Sequence, residues 1–229
     1  MAEVAVALDV ASGRDALALV ERIGEAISWY KLGPVLYVRE GPDLARELLA
    51  RGKQVFLDLK WHDIPSTVAG AVAAAADLGV SLATVHLSGG PRMLEAAARA
   101  RQAGLRIVGV GVLTSMDGPE FGTVVARAVD DVSLEQERLV RLGLEAGLDG
   151  FVCAAAEAAR LREIAGRHAW LVTPGIRRAG DGASDQRRTA SPLEAARAGA
   201  TLLVVGRPVT GAEDPKAVAR EIREEAAGG

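Results

Sequence analysis

The chain has 229 residues, 49% of them hydrophobic and only 3% aromatic, a length and an aliphatic bias that suit one large α/β unit with a core of Val, Leu, Ile and Ala. Its 27 basic and 30 acidic residues are scattered and leave a net charge of −3, so no basic block offers an electrostatic footprint for nucleic acid or a membrane surface. Cys153 is the single cysteine, which excludes an intramolecular disulfide and suits a reducing, cytoplasmic setting, and no run of about 18 uncharged apolar residues is present to cross a bilayer.

Short apolar runs alternate with longer, alanine-rich amphipathic ones. Residues 4–9 predict a first strand and not a secretory signal, because no basic region precedes them. Further strands are predicted over 28–33, 54–59, 82–87, 106–113, 149–153, 169–173 and 201–205. Helices are predicted over 13–26, 41–51, 65–79, 91–103, 133–147, 155–166, 191–199 and 214–226. Several of these helices run into a glycine, as at Gly79 and Gly147, the residue that ends a helix in a left-handed conformation. Eight alternating β and α units imply parallel strands with right-handed crossovers, and eight such units close into a single (β/α)8 TIM barrel, here spanning residues 1–229. A doubly wound open sheet is the alternative architecture, but no G-x-G-x-x-G opens the first helix. Two connections, 114–133 and 173–191, are longer than the rest. Both follow strands, so both belong to the C-terminal face, where loops of this length are expected to act as lids.

Side chains alternate faces along a strand. In the first strand the bulky Val4, Val6 and Leu8 suit packing against helices, which turns Ala5, Ala7 and Asp9 toward the barrel axis. The same reasoning points Lys31 inward from the second strand, and Asp58 and Lys60 from the third. Asp9, Lys31, Asp58, Lys60 and Asp63 are therefore expected to ring one opening. Alternating charges at three successive strand ends are costly to desolvate and are seldom placed there for stability. Only four of the 27 basic residues are lysines, and two of those four are Lys31 and Lys60. Unlike arginine, lysine gives up and regains a proton when its surroundings demand it. His62, His86 and Thr114 also fall at or near strand ends, and no His, Cys and carboxylate set shows metal-ligand spacing. Barrel enzymes often hold phosphate in the loops after strands seven and eight. Here those loops carry Pro174, Gly175 and Arg177 with Gln186 downstream, and Gly206 with Arg207. Glycine lets backbone N–H groups approach an anion, and arginine offers a planar fork to its oxygens.

The run Asp58-Leu59-Lys60-Trp61-His62-Asp63-Ile64-Pro65-Ser66-Thr67 resembles the signature of the orotidine 5′-monophosphate decarboxylase family. So do Ala7-Leu8-Asp9, Tyr30-Lys31-Leu32-Gly33, Val112-Leu113-Thr114-Ser115-Met116, the segments 173–177 and 205–210, and Asp185-Gln186-Arg187-Arg188. The matches are collinear over nearly the whole chain. The resemblance implies decarboxylation of orotidine 5′-monophosphate to UMP without metal or organic cofactor. Lys60 is then the proton donor, and Asp58, Lys31 and Asp63 complete a charge array. It also implies a homodimer with shared sites, in which Asp63, Ile64 and Thr67 reach the partner's substrate. Asp9 and Lys31 would contact ribose, Thr114 or Ser115 the pyrimidine, and Pro174, Arg177, Gln186, Gly206 and Arg207 the phosphate end. The chain departs from the family pattern at Trp61, Ser66, Ala154 and Arg178, and over 118–133. The Asp-x-Lys-x-x-Asp core alone is also found in Mg²⁺-dependent sugar-phosphate decarboxylases and aldolase-like relatives, and a non-catalytic nucleotide-binding barrel is a third reading.

Overall fold

Eight short strands pair side by side in chain order and close on themselves: β1 (Glu3–Ala7), β2 (Trp29–Leu32), β3 (Gln54–Trp61), β4 (Leu82–His86), β5 (Arg106–Val110), β6 (Gly150–Val152), β7 (Trp170–Thr173) and β8 (Leu202–Val205). Every pairing is parallel, including the β1–β8 closure. The computed structural model describes residues 2–178 and 189–228; Gln186 lies outside the described residues.

Strand alternation divides the apolar residues into two cores. Val4, Val6, Leu8, Val55 and Leu57 face outward into a shell shared with the helices. Ala5, Ala7, Trp29, Phe56, Leu82, Val108, Val172, Leu202 and Val204 fill the barrel interior. Trp29 and Trp170 occupy the N-terminal end, with ring centroids 5.6 Å apart, and the Arg106 guanidinium lies 4.4 Å above the Trp170 ring. The Trp29 indole N–H donates to Glu3. With that end plugged by aromatic rings, the inward positions nearer the C-terminal ends are free to carry small and polar side chains.

The helical boundaries differ from expectation where local chemistry intervenes. The first helix, Gly13–Ile23, stops at Gly24, whose φ of +60° turns the chain into a short 3₁₀ segment. The single helix expected over 41–51 is Pro42–Ala50, and a separate helix, Pro34–Glu40, precedes it. Pro34 and Pro42 each start a helix at the position where a missing N–H costs nothing. The connection 114–133 is not a bare loop. It contains the helix Gly118–Val125, started by a capping box in which Asp117 Oδ1 accepts from the Glu120 N–H at 3.0 Å and Glu120 Oε2 accepts from the Asp117 N–H at 3.1 Å. The fifth strand ends at Val110 and does not reach 113. Gln136, on the helix Val132–Glu145, comes so close to Gly111 that a Cβ there would lie 2.2 Å from its Oε1. A four-residue helix, Arg207–Thr210, follows β8 directly.

Candidate active site

A cavity of about 830 Å³ opens at the C-terminal mouth of the barrel, within the ~300–1,000 Å³ usual for small-molecule sites. Ala7, Phe56, Val110, Val152, Val172 and Val204 form its apolar lining. One side of the mouth is charged, with Asp9 just beyond β1, Lys31 on β2, and Asp58 and Lys60 on β3. Four of the five residues expected to ring the opening therefore line it, Asp9 from just past its strand and Lys60 from a residue at positive φ, whereas Asp63 does not, because the chain has turned outward to the rim before it.

These groups form one connected chain of charge. Lys31 Nζ lies 3.6 Å from Asp9 Oδ1 and 3.6 Å from Asp58 Oδ2. Lys60 Nζ donates to Asp58 Oδ1 at 2.9 Å. The side chains of Lys31 and Asp58 are only 12% and 14% exposed, whereas those of Asp9 and Lys60 are 65% and 37% exposed. The middle of the array is therefore shielded from bulk solvent, which strengthens its charge interactions, and its two ends are open to solvent.

Local backbone geometry aims Lys60. Its φ is +50°, the left-handed region that costs a non-glycine residue roughly 1–2 kcal/mol. The β3–β4 register shifts at the same place, with Leu57 opposite Ala83 but Trp61 opposite Val85. The displaced Lys60 N–H donates to the Thr84 hydroxyl at 2.8 Å, and that hydroxyl donates to Asp58 Oδ1 at 3.1 Å. Thr84 is a residue that the reading of the sequence missed. The available signal was its place midway between the inward-facing Leu82 and the strand-end His86.

The opposite side of the mouth carries Pro174, Gly175, Arg177, Gly206 and Arg207, drawn from the loops after β7 and β8. Gly175 has a φ of +82°, a turn that a side chain would strain, and its carbonyl accepts from the Ala190 N–H at 3.3 Å. The Arg177 N–H in turn donates to the Ala190 carbonyl at 2.9 Å, which ties the start of this loop to its far end. Leu113 and Thr114 line the cavity from the segment after β5, whereas Ser115 is exposed and outside it. Gln136 secures that segment: its Oε1 accepts from the Val112 N–H at 2.9 Å and its Nε2 donates to the Val152 carbonyl at 3.0 Å.

Asp63, Ile64 and Thr67 are not among the residues lining this cavity. All three are exposed, and Asp63 Oδ1 accepts from the Ile64 N–H at 2.6 Å at the approach to the helix Pro65–Leu78. His62 and His86 stack with ring centroids 5.3 Å apart. Burial holds the His86 imidazole below its ordinary pKa, reinforced by His62 and then Lys60. Cys153 is buried, 3.9 Å from the Thr173 hydroxyl. Among the described residues, no three His, Cys, Asp or Glu side chains converge as metal ligands.

The fold and the site together define a (β/α)8 barrel whose C-terminal face pairs a lysine–carboxylate array with arginine-bearing loops of the kind that hold phosphate. The model of the orotidine 5′-phosphate decarboxylase / HUMPS family matches residues 2–222. The chain belongs to that family. It is 47% identical to the orotidine 5′-phosphate decarboxylase of Pectobacterium carotovorum subsp. carotovorum (strain PC1), over 96% of this chain and 90% of that one. It is 46% identical to the enzyme of the same name from Sodalis glossinidius (strain morsitans), over 97% and 89%. Among solved structures, orotidine 5′-phosphate decarboxylase from Lactobacillus acidophilus superposes with a TM-score of 0.88 at 31% identity, covering 99% of both chains.

Proposed function

We propose that this chain decarboxylates orotidine 5′-phosphate to UMP without metal or organic cofactor, with Lys60 as the proton donor. The observation that carries the reading is the position of Lys60 Nζ, 2.9 Å from Asp58 in a cavity whose far side bears Arg177 and Arg207.

Loss of CO₂ from C6 of the pyrimidine leaves a carbanion with no adjacent electron sink, so the site must favour the transition state electrostatically. With the phosphate held by Arg177, Arg207 and the Gly206 backbone, the ring extends toward Asp58 and Lys60. Two like charges ~3–4 Å apart repel by roughly 4–5 kcal/mol at an effective dielectric of 20. Repulsion of this kind between Asp58 and the substrate carboxylate disappears as CO₂ departs. The Lys60 ammonium then faces the developing negative charge and delivers its proton to C6. Asp9 and Lys31 are placed for the ribose hydroxyls, and Thr114 for the pyrimidine. Gln186 is assigned to the phosphate end by family resemblance alone.

The working unit in this reading is a homodimer in the cytoplasm, with Asp63, Ile64 and Thr67 of each chain entering the partner's site. The exposed apolar residues of the C-terminal rim support it: Ile64 is 62% exposed, and Val35 and Val38, which follow β2, are 61% and 85% exposed. A covering surface would remove them from water. No helix among the described residues is long and apolar enough to cross a membrane.

The test is the change in pyrimidine absorbance when purified protein meets orotidine 5′-phosphate, with and without EDTA. Turnover that survives EDTA is the expected result. Turnover abolished by EDTA and restored by Mg²⁺ would overturn the metal-free mechanism, and no turnover in either arm would favour a sugar-phosphate relative. Nucleotide binding without turnover would leave a non-catalytic barrel.

A further inference from the structure

We infer that Thr84 is a positioning residue for the proton donor, acting through both the main chain of Lys60 and the side chain of Asp58. The inference rests on the decarboxylase reading above.

The register shift places four residue steps of β3, Leu57 to Trp61, against two steps of β4, Ala83 to Val85. Ladder pairing therefore lapses over residues 58–60, the stretch that carries both catalytic candidates. A backbone N–H displaced from its ladder needs another partner, and for Lys60 that partner is Thr84 Oγ1 at 2.8 Å. Among the described residues, Lys60 and Ala126 are the two non-glycines at positive φ, so the Thr84 bond secures a conformation that the chain does not adopt by preference. The same oxygen carries one hydrogen, which it gives to Asp58 Oδ1 at 3.1 Å, and Lys60 Nζ donates to that carboxylate oxygen as well. A hydroxyl is both acceptor and donor, and here both capacities are used on the two residues whose relative placement the chemistry needs. Thr84 is 0% exposed and is not among the residues lining the cavity. Its contribution is therefore to orientation and not to substrate contact. With the hydroxyl gone, Lys60 loses its anchor, and Nζ no longer has a single position relative to C6.

The experiment compares Thr84→Val, which keeps the shape and removes the hydroxyl, with Thr84→Ser, which keeps the hydroxyl. Steady-state kinetics on orotidine 5′-phosphate are measured alongside UMP affinity and thermal unfolding. Positioning predicts that kcat falls at least about 30-fold in Thr84→Val, while KM and UMP affinity stay within about threefold. It also predicts that Thr84→Ser keeps kcat within about threefold of wild type. Thr84→Ala serves in the same comparison where Thr84→Val does not yield folded protein. The inference is overturned if the hydroxyl-free variant loses less than about 30-fold in kcat, if Thr84→Ser loses as much as Thr84→Val, or if KM rises in step with the loss. Wild-type protein that fails to decarboxylate the substrate would overturn the functional reading first and this inference with it.

Discussion

Lys60 and Asp58, two residues apart on β3, share a face of the strand and are joined by a 2.9 Å hydrogen bond between Nζ and Oδ1. The pair sets the main expectation for catalysis. Lys60→Ala removes the proton donor, so turnover should fall by at least about a thousandfold, the middle of the ~10²–10⁴-fold range for a general acid. Affinity for UMP should stay within about tenfold, because the arginine-bearing side of the cavity is untouched. Near-normal turnover would refute the assignment of Lys60.

Arg207 lines the far side of the cavity. Loss of a charge-assisted hydrogen bond costs about 1.5–3 kcal/mol, so Arg207→Ala should lower kcat/KM for orotidine 5′-phosphate by about 10- to 150-fold. With orotidine, which lacks the phosphate, the same substitution should cost little. Equal losses on the two substrates would mean that Arg207 does not meet the phosphate.

Asp63 lies at the exposed rim and does not line its own chain's cavity, so sharing across a two-fold axis is open to direct test. Lys60→Ala and Asp63→Ala chains, each inactive alone, are mixed under conditions where subunit exchange is verified. Random pairing makes half the dimers hybrids, each with one of two sites intact, and about a quarter of wild-type activity should return. No recovery would mean that each barrel carries its whole site.

Gln136 is 1% exposed and satisfies the Val112 N–H and the Val152 carbonyl. Gln136→Leu keeps bulk but leaves the buried Val112 N–H and the half-buried Val152 carbonyl without this partner, at about 1–3 kcal/mol for a buried group. Urea unfolding should register a loss of that order. KM should rise, because Leu113 and Thr114 depend on this tether. Unchanged stability together with unchanged KM would count against the role.

His86 bears on acid stability. Its folded pKa lies below the ordinary 6.5 because burial disfavours the imidazolium, with His62 and Lys60 adding repulsion. The unfolded chain therefore takes up this proton first. Stability from this group is fully present above about pH 6.5 and is lost as pH falls toward the folded value. The wild type should lose more unfolding free energy between pH 7.5 and pH 5.5 than His86→Gln, with the carboxylates common to both cancelling in the comparison. Parallel losses would show that His86 is not the sensitive group.

The placement of Asp9, Lys31, Asp58 and Lys60 on the axis side was legible in the sequence, because side-chain alternation is a property of each strand's own backbone. The order of strands followed from eight βα repeats joined by one-handed crossovers. The helix Gly118–Val125 was also written locally, in the Asp117 and Glu120 capping pair, although chain-long periodicity passes over so short an element. Thr84 and Gln136 were not legible. Alternation along its own strand could place Thr84 on the inward face, but neither residue's neighbourhood names its partner, since each acts on a segment 24 residues away, Lys60 for one and Val112 for the other. Only the folded barrel brings these groups together, and only the shifted β3–β4 register leaves the Lys60 N–H without a ladder partner. A hydrogen bond between distant segments depends on pairing register and backbone torsion, and those are decided when the barrel closes.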